Sequence, residues 1–202
     1  MADVGVRPAR KSDVWALSRT LGRAFYADPV MMWILPDGGQ RATDLPRLFA
    51  TVTRRHFLAG GGVEIAPNGS AVGAATLWDP PGRWKHKKLE EVLMMPGSIW
   101  AFRFRVRAAQ QVAEVMKAEH PGEPHWYLCA IGSDPTVRGA GYGQALMRSR
   151  LDRCDTEHAP AYLEATKQET VPYYMRFGFQ VTGEIKLPNR GPSVWTMWRE
   201  PR

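Results

Sequence analysis

Residues 126–146, WYLCAIGSDPTVRGAGYGQAL, constrain this chain more than any other stretch. Trp126 to Ile131 is an apolar and aromatic run of strand length. A Gly-Ser-Asp-Pro turn follows, then glycines at 139, 141 and 143, and then a helical pattern. A strand that breaks into a glycine loop opening a helix can seat a phosphate. The glycines let backbone approach closely, and the free N–H groups of the first helical turn point at the anion. Two well-known phosphate loops are excluded by spacing. A P-loop needs Lys-Ser or Lys-Thr after its glycines, whereas Gln144 and Ala145 follow here. The dinucleotide fingerprint needs G-x-G-x-x-G, whereas these glycines fall as G-x-G-x-G.

The rest of the chain reads as alternating strands and helices. Residues 4–7 suggest a short strand. Ser12 offers an N-cap for a helix carrying Val14, Leu17, Leu21 and Phe25 on one face. The segment VMMWILPDGG is either a short helix or a packed loop. A second helix is expected over residues 43–58, with Leu45, Leu48, Phe49, Val52 and His56 on one side. Residues 63–66 and 71–78 form a hairpin pattern. A basic helical segment over 84–93 and a longer helix over 98–118 lead to the central strand. After the glycine loop, Met147, Leu151 and Cys154 should face a sheet. Then come a strand over 161–165, a short helix over 171–177 ended by Gly178, and a closing hairpin over 179–187 and 193–198. At 202 residues, with no linker or repeat, residues 1–202 are expected to form a single domain.

Composition narrows the class. No apolar run approaches membrane-span length, and the first ten residues lack a signal-peptide core. Two cysteines, Cys129 and Cys154, fit free thiols in a reducing cytoplasm. The net charge of +7 is spread over scattered arginines, with Arg103, Arg105 and Arg107 reading as a solvated helix face. It does not form the continuous stripe with exposed aromatics that nucleic acid would need. Neither a nucleic acid nor a membrane is expected as partner, and no metal site is called for.

Three motifs in order, R-x-x-G-x-G after the Asp-Pro turn, YLEAT at 162–166 and VPYYMRFGF at 171–179, resemble the GNAT superfamily of N-acetyltransferases. With EPHWYL before the loop, the likeness is to the puromycin N-acetyltransferase branch, over about residues 123–200. Lys167 and Thr170 stand where the family often has asparagines, and Ser133 where valine is common. The resemblance implies an α/β fold, a mixed, mostly antiparallel sheet with helices on both faces and splayed central strands. It implies an acyl-CoA-dependent N-acetyltransferase, moving an acetyl group directly from acetyl-CoA, its cosubstrate, to the amine of a small molecule. The alternative is an inactive CoA-binding regulatory module. A monomer or homodimer is expected.

Each part of that chemistry has candidate residues. Backbone N–H groups of Arg138, Gly139, Ala140, Gly141, Tyr142 and Gly143 would hold the pyrophosphate. Amides near Ile131, Gly132 and Ser133 would face the carbonyl oxygen. Tyr174 matches the family's proton donor to the departing thiolate, and an ordinary tyrosine is protonated at neutral pH. Glu164 is the carboxylate expected to take the amine proton, directly or through water; its other reading is a structural ion-pair partner. His125 reads as a hydrogen-bonded structural histidine, and Cys129 and Cys154 as buried core. Phe25, Tyr26, Asp28 and Trp33 would line the acceptor side. Asp28 either steers a protonated amine or caps the turn before Pro29.

Overall fold

A computed structural model describes residues 4–84 and 105–202. Seven strands form one sheet: β1 (Arg7–Pro8), β2 (Val63–Asn68), β3 (Ala71–Asp79), β4 (Trp126–Ser133), β5 (Ala161–Ala165), β6 (Gln180–Lys186) and β7 (Ser193–Arg199). Their order is β1-β2-β3-β4-β5-β7-β6. Every pairing is antiparallel except β4 with β5. The closing hairpin therefore folds back so that β7, not β6, pairs with β5. β3 shows why its sequence, AVGAATLWD, barely alternates: all its residues after Ala71 are buried, because both faces of the sheet are covered there.

The covering helices are α1 (Val14–Ala24), α2 (Pro29–Ile34), α3 (Gly38–Val52), α4 (Val106–Glu119), α5 (Tyr142–Thr156) and α6 (Val171–Met175). On one face, Leu17 and Leu21 of α1 pack with Phe49, Ile65, Leu77 and Ala130. On the other, Met147, Leu151 and Cys154 of α5 pack against Trp126, Leu128, Leu163 and Met197. Each such aliphatic side chain contributes about 1.5–3 kcal/mol by leaving water. A third cluster ties α2 and α4 to the closing hairpin through Val30, Ile34, Val112, Ile185 and Val194.

Several boundaries differ from the sequence reading. Ser12 does not cap α1: it lies in a 3-10 turn, Lys11–Asp13, while Asp13 accepts from the Arg10 N–H and pairs with Arg7. α3 starts five residues before the expected Thr43, because Asp37 accepts the Gln40 N–H at 2.6 Å and caps the helix there. Its far end widens into a π-turn, Thr53–Phe57, before Gly61 turns left-handed at φ 69°. Cys129, expected in the core, is exposed, whereas Cys154 is buried. The expected helix over 84–93 and the start of the one over 98–118 lie outside the described residues. Among the described residues, no helix is long and apolar enough to cross a membrane.

Candidate active site

The site begins where two neighbouring strands part. β4 pairs with β5 only from Trp126 to Leu128, against Ala161 to Leu163. Beyond that point β4 runs on to Ser133 and β5 to Ala165 without pairing to each other. A bulge starts the divergence. Leu77 and Trp78 of β3 face Ala130 and Leu128, so Cys129 is the extra residue. Such an insertion bends its strand and exchanges the faces of the residues that follow. Ala130 and Gly132 accordingly turn toward α1, while Ile131 joins the cluster under α5. Only a glycine fits at 132, since a Cβ there would lie 2.6 Å from the Ala24 Cβ. The Asp134 N–H donates to the Gly73 carbonyl at 2.7 Å. By alternation along the strand, the Ile131 and Ser133 N–H groups point away from β3, into the gap.

At the outer end of this gap lies the glycine loop. Asp134 anchors its start, accepting from the Thr136 N–H and hydroxyl and from the Arg23 guanidinium. Burial works against ionisation of Asp134, but those bonds outweigh it and hold the carboxyl below its usual range. Gly141 precedes α5 at φ 89°, a left-handed conformation in which a side chain is strained. It offers no side-chain cap. The first bond across this end runs from the Ala145 N–H to the Gly141 carbonyl, so the N–H groups of Tyr142, Gly143 and Gln144 remain outside the helical ladder. A Cβ built at Gly139 or Gly141 meets nothing within 4 Å, so the backbone is open to a ligand. Open donors, a helix dipole and the exposed Arg138 suit this loop to a phosphate group. From the other side α6 closes in: the Tyr173 hydroxyl lies 3.2 Å from where a Gly143 Cβ would be. Burial pushes that hydroxyl up to about 12. Thr170 turns its own hydroxyl onto the Lys167 carbonyl at 2.7 Å.

The inner part of the gap has two chemically different walls. Leu163 and Ala165 of β5 face α5, so Tyr162 and Glu164 face the opposite way. There the Glu164 side chain is only 2 % exposed, and its Oε1 stands 3.6 Å from His120 Nδ1. Among the described residues, no hydrogen bond of normal geometry reaches that oxygen or the buried Tyr162 hydroxyl. Burial first, and the Glu164 charge second, push both Tyr127 and Tyr162 well above the usual tyrosine range. Cys129 opens on the same wall. It is exposed, and the protein around it, then the Asp79 and Glu164 charges, push its thiol up.

Tyr174 belongs to the α5 side, half-buried against Phe179 and Tyr173. Burial, then Tyr173 and Asp28, raise its hydroxyl far above the ordinary value. Asp28 is 3 % exposed. Its Oδ1 caps α2, accepting from the Val30 and Met31 N–H groups, and its Oδ2 accepts from the Thr166 hydroxyl. The capping reading of Asp28 is therefore the one the fold displays, with no free carboxylate held out for an amine. The other expected acceptor residues separate. Phe25 lies beside Phe49 and under Gly132. Tyr26 is exposed beneath Arg41. Trp33 lines a cavity of about 430 Å³ with Arg105, Arg107, Gln111 and Asn189.

Three residues escaped the sequence reading. His120 contacts Glu164 but sits in a loop with no motif. His56, within the π-turn, and Asp79 form a buried pair at 2.6 Å. In the sequence His56 reads as one more member of an apolar helix face, and Asp79 as the end of a strand. His125 is buried and hydrogen-bonded, as expected of a structural histidine.

Residues 32–179 match the model of the acetyltransferase (GNAT) family. A solved structure from Corynebacterium glutamicum, described as histone acetyltransferase HPA2 and related acetyltransferase, is similar with a TM-score of 0.75. Its identity is 26 %, covering 98 % of this chain and 96 % of that one. The polyamine N-acetyltransferase of Drosophila melanogaster, which forms N-acetylagmatine, shares the fold at a TM-score of 0.67 and 19 % identity, covering 98 % and 100 %. A mosquito arylalkylamine N-acetyltransferase-like protein does so at 0.58 and 14 %, covering 97 % and 99 %.

Proposed function

The chain belongs to the acetyltransferase (GNAT) family, and we propose that it acetylates the primary amine of a small molecule by direct transfer. Acetyl-CoA supplies the activated acetyl group as a thioester. The N–H groups around the 138–143 loop and the first turn of α5 hold its pyrophosphate. The observation that carries the reading is the parting of β4 from β5, with Glu164 on one wall and Tyr174 on the other.

The two groups divide the proton traffic. Glu164 takes the proton of the incoming ammonium, directly or through water, so that the nitrogen lone pair is free to attack. Its carboxylate is buried beside His120, and among the described residues no hydrogen bond engages Oε1, so its capacity to take up a proton is unspent. Tyr174 Oη, protonated at neutral pH and pushed further up by burial, gives its proton to the departing sulfur, and the second proton that nitrogen sheds as the amide forms returns through water to the phenolate. The Ile131 and Ser133 N–H groups, already directed into the gap, stabilise the negative charge that develops on the carbonyl oxygen. Cys129 lies close by, but a thiol pushed up by its surroundings, with Asp79 and Glu164 near it, stays protonated and is a poor nucleophile. Direct transfer therefore fits better than an acetyl-cysteine route.

The buried acid, the aromatic rings of Tyr127 and Tyr162 and the narrow gap suit a compact cationic amine. Polyamine, agmatine and arylalkylamine acetyltransferases among proteins of this fold make those three amine classes the first to assay. The test follows thiol release from acetyl-CoA with agmatine, spermidine and an arylalkylamine. Amine-dependent release lost in Glu164→Gln and in Tyr174→Phe is the expected result. Unchanged rates in both variants would overturn the assignment.

A further inference from the structure

Behind Glu164 stands a chain of hydrogen-bonding groups that the roles assigned above leave unused. His125 Nδ1 lies 2.6 Å from the Glu123 carbonyl oxygen. His125 Nε2 lies 3.0 Å from His120 Nε2, and His120 Nδ1 faces Glu164 Oε1 at 3.6 Å. The proton positions follow from one end. A carbonyl oxygen only accepts, so His125 Nδ1 carries the hydrogen. Burial, the largest influence on it, lowers the pKa of His125 and keeps it neutral. A neutral imidazole protonated at Nδ1 presents a lone pair at Nε2. The 3.0 Å contact therefore requires His120 to donate from its own Nε2. That leaves His120 Nδ1, with its lone pair, directed at the carboxylate.

The ring is held for this purpose. Trp84 stacks on His120 at 3.8 Å between centroids, and Tyr127 and Tyr162 meet it edge-on at 4.8 and 4.9 Å. Among the described residues, the titratable groups around this point are Glu164 and Tyr162 from β5, Tyr127 from β4 and His125 from the loop before it. Glu119, at the end of α4, also acts on Tyr162, and Asp79 and Cys129 lie beyond the carboxylate.

We propose that His120 is the proton store behind Glu164, with His125 and the Glu123 carbonyl fixing the tautomer that allows it to receive. The inference rests on the reading of Glu164 as the base. An N–H bond of the ammonium breaks as an O–H bond forms on Glu164. That O–H bond then breaks as an N–H bond forms on His120 Nδ1, giving an imidazolium beside a restored carboxylate. Acetylation of one ammonium releases one proton overall, and His120 holds it until it passes to solvent. His120 acts through Glu164 and is a positioning residue; it does not touch the substrate.

Two measurements test this. In the parent protein, nitrogen–proton correlation spectra of the imidazoles should show His125 as the Nδ1–H tautomer and neutral His120 as the Nε2–H tautomer. The opposite tautomer at either ring would overturn the relay, whatever the behaviour of any variant. The second compares the pH dependence of kcat/KM, with acetyl-CoA and the best amine of the panel, in the parent, Glu164→Gln and His120→Gln. The glutamine at 120 can still donate to His125 but cannot take up a proton. Its acid limb should no longer coincide with the parent's, because the group that receives the proton is gone. Its kcat should fall roughly tenfold, less than the 10²–10⁴-fold of a lost general base, with the KM for acetyl-CoA unchanged. A profile superimposed on the parent's, with Glu164→Gln inactive, would remove the relay and leave Glu164 as base. Parent-level turnover in Glu164→Gln would remove the base itself, and the relay with it.

Discussion

Gly132→Ala is the substitution whose effect can be worked out most closely. The added Cβ would stand 2.6 Å from the Ala24 Cβ and 3.2 Å from Leu21 Cδ2, with Phe25 Cε2 at 3.7 Å. A 2.6 Å carbon–carbon approach is roughly 1 Å inside the normal contact of about 3.5–4.0 Å. Neither Ala24 nor the strand can relieve it by changing rotamer, so α1 must move off β4. Overpacking of this kind costs about 1–3 kcal/mol. Ala24→Gly alone, at the last residue of α1, should cost no more than about 0.5–1 kcal/mol. Combined with Gly132→Ala it removes the worst clash, so the pair should be more stable than the sum of the two predicts, by about 1 kcal/mol or more. Urea denaturation with unchanged m reads the stabilities. Turnover should fall in Gly132→Ala and recover in the double variant, because the displaced backbone carries the N–H groups at 131 and 133. Additive stabilities would refute the close approach of α1 to β4 on which this rests.

Tyr174→Phe should lower turnover by roughly 10²–10⁴-fold with little change in CoA affinity by calorimetry, since it removes one hydroxyl and keeps the ring. Gly141→Val puts a branched side chain at φ 89° on the open side of the loop; CoA binding should be lost while the circular dichroism spectrum is kept. Asp155 accepts two hydrogen bonds from Arg199, chiefly these holding its carboxyl below the usual range. The unfolded chain thus binds more protons, so this contribution is present above the unfolded pKa of about 3.9 and is lost as pH falls through the lower folded value. Acid titration of stability in Asp155→Asn should lack that step.

Local chemistry was enough for much of the molecule. The strand, glycine loop and helix at 126–156 are written in apolar runs and in glycines, as are the faces of α1 and α5, because each depends on neighbours in sequence. Tyr174 and Glu164 could be singled out because each lies in a short motif. Other features depend on residues far apart in the chain. The bulge at Cys129 exists only relative to its partners Leu77 and Trp78, so a strand that reads as regular exposes a cysteine expected in the core. Asp28 is claimed by Thr166, more than a hundred residues away, and by the first turn of α2, so its carboxylate caps a helix. His120 meets Glu164 because a loop after α4 folds under β5, and no periodicity records where a loop returns. Hydrogen-bond geometry and apolar period are local properties, legible one segment at a time. Which segments converge on a carboxylate is decided by packing of the whole sheet, and that is why the surroundings of Glu164 appear only in the folded chain.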